Sequence, residues 1–201
     1  MTRIKLCGIT RLCEAKWINE LRPDFAGFVF VPASRRHVSA EQAEILRQNL
    51  DAGIRTVGVF ADEKPERVAE LLQSGSIDAV QLHGSEDENY LASLRKMADC
   101  PIIQAFRIRN EADTERANRS SAELVLLDSG GGTGTLFDHS LLHGIRRPYF
   151  LAGGLTPENV GGLIQNLEPA PWGVDASSSL ETDRVKDLAK MTAFVQAVRK
   201  E

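Results

Sequence analysis

The chain has only three cysteines, Cys7, Cys13 and Cys100. An odd number without close metal-ligand spacing argues against a disulfide framework and against a zinc site, so no metal is expected and the thiols are expected to be reduced. Positive charge is not in excess either. With 24 Lys and Arg against 28 Asp and Glu, the net charge is −4 and the signs are interspersed, so there is no electrostatic footprint for nucleic acid. No apolar run approaches a membrane span, and the N-terminus enters a strand pattern without a signal peptide's apolar core. These absences predict a cytoplasmic protein without nucleic-acid or membrane partners. Any anionic ligand must therefore be held locally. The 201 residues, 42% hydrophobic and 26% charged, suit a single globular domain over 1–201 with a full core.

What the chain does have is a repeating unit, and its first copy carries a thiol. In a strand over Ile4 to Ile9, Lys5 and Cys7 share one face while Ile4 and Leu6 share the other. Gly8 turns the backbone beside the thiol. A helical pattern follows in Leu12, Ala15, Trp17, Ile18 and Leu21. Taken alone, Cys7 fits a small buried hydrophobe better than it fits a nucleophile or base.

The unit recurs. Phe25 to Val31 is a continuous apolar run, as expected of a strand buried on both faces. Ser39 caps the next helix, with Gln42 at the capping-box position and Ala43, Ile45, Leu46 and Leu50 inside. Arg55 to Phe60, Ile77 to His83, Pro101 to Phe106, Leu124 to Asp128, Tyr149 to Ala152 and Trp172 to Ala176 complete eight strands. Between them, Pro65 opens a helix with Val68, Leu71 and Leu72, and Ser85 caps one with Leu91 and Leu94. The polar stretch 107–121 predicts a short or irregular fifth helix, and a brief helix is expected from Asp138. Thr156 caps and Pro157 starts another helix, and Lys186 to Arg199 forms the last.

Eight strand-helix units predict a single (β/α)8 barrel, because parallel strands need crossover helices and the eighth strand can close on the first. The rival, an open doubly wound sheet, needs a switch point and more often has fewer strands. In a barrel the chemistry collects at the carboxyl ends of the strands. Cys7, His83, Asp128 and Asp175 all stand there, and Arg35, Arg36 and His37 follow the second strand. Two glycine-rich turns supply bare amides after strands seven and eight, at Gly153 and Gly154 and at Ala176 and Ser177. With a helix N-terminus close by, these predict a phosphate site. The run Gly130 to Gly134 lacks the Lys-Ser/Thr ending of a P-loop, which argues against a nucleoside triphosphatase.

Taken together, KLCGIT, GFVFVPASRRHVS, VGVF, VQLHG, LLDSGGGTG, LAGGLTPENV and GVDASSSLE occur in an order that resembles the phosphoribosylanthranilate isomerases over essentially the whole chain. The resemblance implies a cofactor-free Amadori rearrangement of a phosphorylated small-molecule substrate, by a monomer or homodimer. It gives Cys7 the role of general base and Asp128 that of general acid, and sets Arg36 against the anthranilate carboxylate. His83 and Asp175 are candidate substrate contacts. Asp128 must then arrive protonated, for which an apolar mouth would raise its pKa. Cys7 must act as thiolate, although a thiol of pKa about 8.5 is ionised to only a few per cent at neutral pH. Lys5 is either a stabiliser of that thiolate or a paired interior charge.

The departures from the family pattern fall in the loops. Thr135 stands where lysine is common, His139 where tryptophan is common and Ser179 where glycine is usual, while Ser34-Arg35-Arg36 replaces the usual SPR. Two rivals remain. A related histidine-pathway isomerase would use two aspartates, which Cys7 argues against. A binding barrel without turnover is disfavoured by retention of both proton-transfer groups.

Overall fold

The structure, a computed structural model, describes residues 1–128 and 139–200. Strands β1 (Arg3–Cys7), β2 (Phe25–Val29), β3 (Arg55–Phe60), β4 (Ala79–Leu82), β5 (Ile102–Arg107), β6 (Leu124–Asp128), β7 (Tyr149–Ala152) and β8 (Gly173–Ala176) form a closed parallel barrel. Each strand pairs with the next in sequence. Closure comes from β1 lying beside β8, with Lys5 opposite Asp175, so neither has an open edge.

The two-residue period sorts the side chains into two cores. Ile4 and Leu6 point outward into the shell between strands and helices, and both are buried there. Lys5 and Cys7 point inward. The lower barrel is filled by Phe25, Val57, Ala79, Ile103, Leu126 and Phe150. Phe150 packs edge-on against Phe25, with centroids 5.6 Å apart, and against Trp172 at 5.1 Å. This aromatic plug seals the amino-terminal end, and truncating Phe150 to alanine would cost about 3–5 kcal/mol. Cys7, Val29 and Val59 form a smaller layer above it. The barrel is thus solid below the thiol.

The outer helices are α1 (Leu12–Leu21), α2 (Ala40–Gln48), α3 (Pro65–Gln73), α4 (Glu88–Met97), α5 (Glu111–Arg119), α6 (Val160–Asn166) and α7 (Leu188–Arg199). Ser39 caps α2 as expected, accepting from the Gln42 amide at 3.1 Å. Leu12 and Ile45, expected inside, are about half exposed, at 48% and 50%. The cap of α4 is Asp87, which accepts from Tyr90 N at 2.9 Å. Ser85, the expected cap, instead donates to Asp62, leaving the cap to the carboxylate nearer the first turn.

Three further differences bear on the site. The fifth helix is regular and nine residues long, because its inner face is polar but satisfied. Asn110 caps it, buried Asp113 accepts from Arg109 N, and Thr114 donates to the Leu141 carbonyl. The brief helix expected from Asp138 is a 3₁₀ turn, His139–Gly144, and it begins where the described residues resume. The last helix starts at Leu188 and not at Lys186. A hairpin of β9 (Glu181–Thr182) and β10 (Val185–Lys186) precedes it, exposing Val185 and burying Lys186 by the alternation of a strand.

Candidate active site

The barrel mouth holds a cavity of about 450 Å³. Its wall includes Cys7, Arg35, Arg36, His83, Asp128, Gly153, Gly154, Asp175, Ala176 and Ser177, whereas His37, which also follows the second strand, is not part of it. Five strand ends and the loop after β2 supply them, and closure of the sheet brings them together.

Cys7 sits at the bottom of this cavity. A Cβ on Gly27, its neighbour in register, would lie 2.7 Å from the Cys7 Sγ and 3.1 Å from its Cα, so the glycine is what gives the thiol its place. Below it, Lys5 donates to Asp175 Oδ1 at 2.9 Å, and the ammonium also reaches the thiol. Burial would pull Lys5 down, but the Asp175 carboxylate and Cys7 more than offset it, so the lysine is held above its ordinary value. Burial pushes the Cys7 thiol up, Lys5 pulls it back, Asp175 adds to the rise and Lys186 opposes it. Lys5 is thus a paired interior charge, and its ammonium pulls the thiol toward the thiolate without overcoming burial.

Arg36 lies along Gly8. That glycine has φ +81°, and a Cβ there would collide with the Arg36 Cδ, so it serves both the turn and the arginine. The guanidinium is engaged by Glu181, a residue whose role the sequence did not disclose. Arg36 Nε donates to Glu181 Oε1 at 2.5 Å and Nη2 to Oε2 at 3.0 Å. Arg35 and Lys186 converge on the same carboxylate, at 2.5 and 2.9 Å. Burial pushes Glu181 up, yet the hydrogen bonds of Arg36, Lys186 and Arg35 bring it down to about 2. A ligand carboxylate reaching Arg36 therefore meets a guanidinium already fixed in orientation. The only sequence signal was a lone acid after a run of serines.

On the other side, His83 Nε2 stands 3.5 Å from Asp128 Oδ2. Its Nδ1 is 2.9 Å from the amide Nε2 of Gln81, another residue that sequence reasoning passed over.

The anion-binding turns need one correction. Gly153 and Gly154 have φ of +83° and +66°, a left-handed pair that suits glycine and exposes amides. The regular helix α6 starts only at Val160, but Thr156 opens the turn before it as a cap does: its hydroxyl accepts from Glu158 N at 3.3 Å, its carbonyl accepts from Val160 N at 3.1 Å, and Asn159 Oδ1 accepts from Thr156 N at 2.8 Å. Asn159 also donates to the Gly154 carbonyl at 2.9 Å and so ties the turn down. Across the cavity, Ser177 precedes a 3₁₀ turn, Ser178–Leu180. Its hydroxyl donates to the Cys7 carbonyl at 3.0 Å, so Ser177 itself has its backbone amide to offer an anion, beside Ser178 and Ser179 in the cavity wall. Lys186 donates to the Ser177 carbonyl at 3.0 Å, which links the loop to Glu181 and Arg36. Thr135 and the glycine run 130–134 lie outside the described residues. Among the described residues no His, Cys, Asp or Glu cluster could hold a metal ion, and no helix is long and apolar enough to cross a membrane.

Chemically, the cavity offers a thiol and a carboxyl for proton transfer, a fixed guanidinium for a carboxylate and amide turns for a phosphate. Comparison with known proteins shows the family. A family model described as N-(5'-phosphoribosyl)anthranilate (PRA) isomerase matches residues 4–197. The N-(5'-phosphoribosyl)anthranilate isomerase of Endomicrobium trichonymphae is 37% identical over 204 residues, covering 99% of each chain. A solved phosphoribosyl anthranilate isomerase in complex with reduced 1-(o-carboxyphenylamino)-1-deoxyribulose 5-phosphate superposes with TM-score 0.87, at 34% identity and 100% coverage of both chains. Monomers of the dimeric enzyme from Thermotoga maritima give the same TM-score, identity and coverage.

Proposed function

The chain belongs to the N-(5'-phosphoribosyl)anthranilate isomerase family, and from that premise we propose how its own residues carry the reaction. The reaction converts N-(5-phosphoribosyl)anthranilate to the carboxyphenylamino-deoxyribulose phosphate in tryptophan biosynthesis. Asp128 is the general acid. It delivers a proton to the ribofuranose ring oxygen as the bond from that oxygen to C1 breaks, while the anilinic nitrogen's electron pair forms the C1=N bond. Cys7, as thiolate, is the general base. It takes the proton from C2, and the electrons of that C–H bond form the C1=C2 bond and neutralise the iminium. The enolamine then gains a proton at C1 and loses one from the 2-hydroxyl. No external oxidant or reductant is consumed, so proton transfer alone suffices and no cofactor is required.

Binding is divided among the remaining groups. Arg36 holds the anthranilate carboxylate, the amides of Gly153, Gly154, Ala176 and Ser177 hold the phosphate, and His83 and Asp175 contact the sugar. The observation that carries this reading is the convergence of Cys7 and Asp128 on one cavity, between a fixed guanidinium and the amide turns. Residues 1–201 act as one domain in the cytoplasm, as a monomer or homodimer. Purified protein mixed with freshly made phosphoribosylanthranilate tests the assignment through the change in anthranilate fluorescence. Conversion to the ketose phosphate is expected, and substrate decay no faster than in buffer would overturn it.

A further inference from the structure

The most informative side chain outside those assigned above is Gln81. It lies on β4 with its side chain inside the barrel, is 1% exposed, and forms part of the cavity wall. Its Nε2 is 2.9 Å from His83 Nδ1, while its Oε1 is buried without a partner. Rotating the amide by half a turn would place Oε1 against Nδ1 and leave both amide protons in the place now taken by one oxygen. A buried carbonyl without a partner is tolerated better than buried N–H groups without one, so Nε2 facing Nδ1 is the better arrangement. Nδ1 is then an acceptor. The single N–H of a neutral imidazole must sit on Nε2, which faces Asp128 Oδ2 at 3.5 Å.

We propose that Gln81 is a positioning residue for the isomerisation: by donating to Nδ1 it holds His83 neutral, with its proton on Nε2, so that Asp128 can keep the proton that ring opening consumes. The physical case is a comparison of two charge states. An imidazolium 3.5 Å from Asp128 would favour the carboxylate, which has no proton to give. Protonating His83 at Nδ1 would set that new N–H against the amide donor of Gln81, so the amide opposes the imidazolium.

The other ionisable groups around the ring do not replace this control. On β8, Asp175 acts electrostatically on both His83 and Asp128, and its charge is paired by Lys5 of β1 at 2.9 Å. On β5, Arg107 stands in register with Asp128. In the loops after β3 and β4, Glu86 accepts from the amides of Asp62 and Gly84, and Asp62 accepts from Ser85. Strand β7 contributes Ala152 to this wall, which carries no charge. Among the described residues only Gln81 touches Nδ1.

The inference rests on Asp128 being the acid, and the experiment separates the two claims. Nitrogen-15 NMR of labelled protein reads the His83 tautomer independently of turnover, in the wild type, Gln81→Met and Gln81→Glu. The wild type should show the Nε2–H form near neutral pH. Gln81→Met, uncharged and close in size, should give a mixture of tautomers and a kcat lower by a few fold. In Gln81→Glu the introduced carboxylate accepts from Nδ1–H and should produce the imidazolium. The kcat/KM plateau should then fall by on the order of tenfold or more, with its acid limb moved to lower pH by the same factor, because the competent form pairs protonated Asp128 with the Cys7 thiolate. An Nδ1–H tautomer in the wild type, or an unchanged His83 spectrum in Gln81→Met, overturns the proposal even if Gln81→Glu fails to fold. The expected tautomer changes with an unmoved pH profile would overturn the link to Asp128 and count against Asp128 as the acid.

Discussion

Replacing Gly27 with alanine tests the position of the thiol without touching the thiol. The added Cβ would lie 2.7 Å from Cys7 Sγ, 3.1 Å from Cys7 Cα and 3.2 Å from Cys7 Cβ. Carbon and larger atoms settle at roughly 3.5–4.0 Å, so the sulfur must retreat by roughly 1 Å. The Cys7 main chain cannot absorb the difference, because β1 is held in register between β2 and β8. Overpacking of this kind costs about 1–3 kcal/mol of stability, which a full barrel core can tolerate. A misplacement of about 1 Å at a reacting group costs about 10²-fold in rate. Gly27→Ala should therefore fold, melt some degrees lower, and lose about 10²-fold in kcat with a much smaller change in KM. Steady-state kinetics beside a thermal melt measures both. A folded variant with near-normal kcat would refute the reasoning, because a base whose sulfur has been displaced cannot keep the wild-type rate.

Two further outcomes follow from the binding groups. Arg36→Met should raise KM strongly and leave kcat within a few fold, since the guanidinium contacts a carboxylate and moves no proton; kinetics showing a collapsed kcat at unchanged KM would contradict it. Inorganic phosphate should inhibit competitively against phosphoribosylanthranilate by occupying the turns at Gly153–Gly154 and Ala176–Ser177; noncompetitive inhibition would place the anion elsewhere.

The barrel was legible because its signals repeat. Eight short apolar runs separated by capped helical patterns admit few arrangements, and β6 and β7 have the expected boundaries. The site was legible wherever a reactive residue ended a strand, as with Cys7 and Asp128. It was hidden where the partner came from far along the chain. Glu181 is 145 residues from Arg36, and nothing in the local pattern around either shows that they meet. Gln81 looked like one more residue of an apolar strand, and only the inward facing of alternate β4 residues gives it His83 as a neighbour. The fifth helix is regular, against its polar pattern, for a related reason. Its inner face is polar, and a polar face is stable only when its partners, here Arg109 and Leu141, are in place. Near Thr156 the cap pattern is met, with Glu158 N donating to the threonine hydroxyl and Asn159 accepting from its amide, and only the start of the regular helix moves on to Val160.

The central claim is that Cys7 and Asp128 are the two groups that move protons. The most direct test is single-turnover isomerisation, with enzyme in excess over phosphoribosylanthranilate, in the wild type, Cys7→Ala and Asp128→Asn, with fluorescence reporting both binding and conversion. Each variant should still bind substrate and should convert it at least about 10²-fold more slowly than the wild type, the usual scale for a positioned acid or base. Conversion at a near-wild-type rate in either variant would contradict the account by showing that the residue replaced is not one of the two.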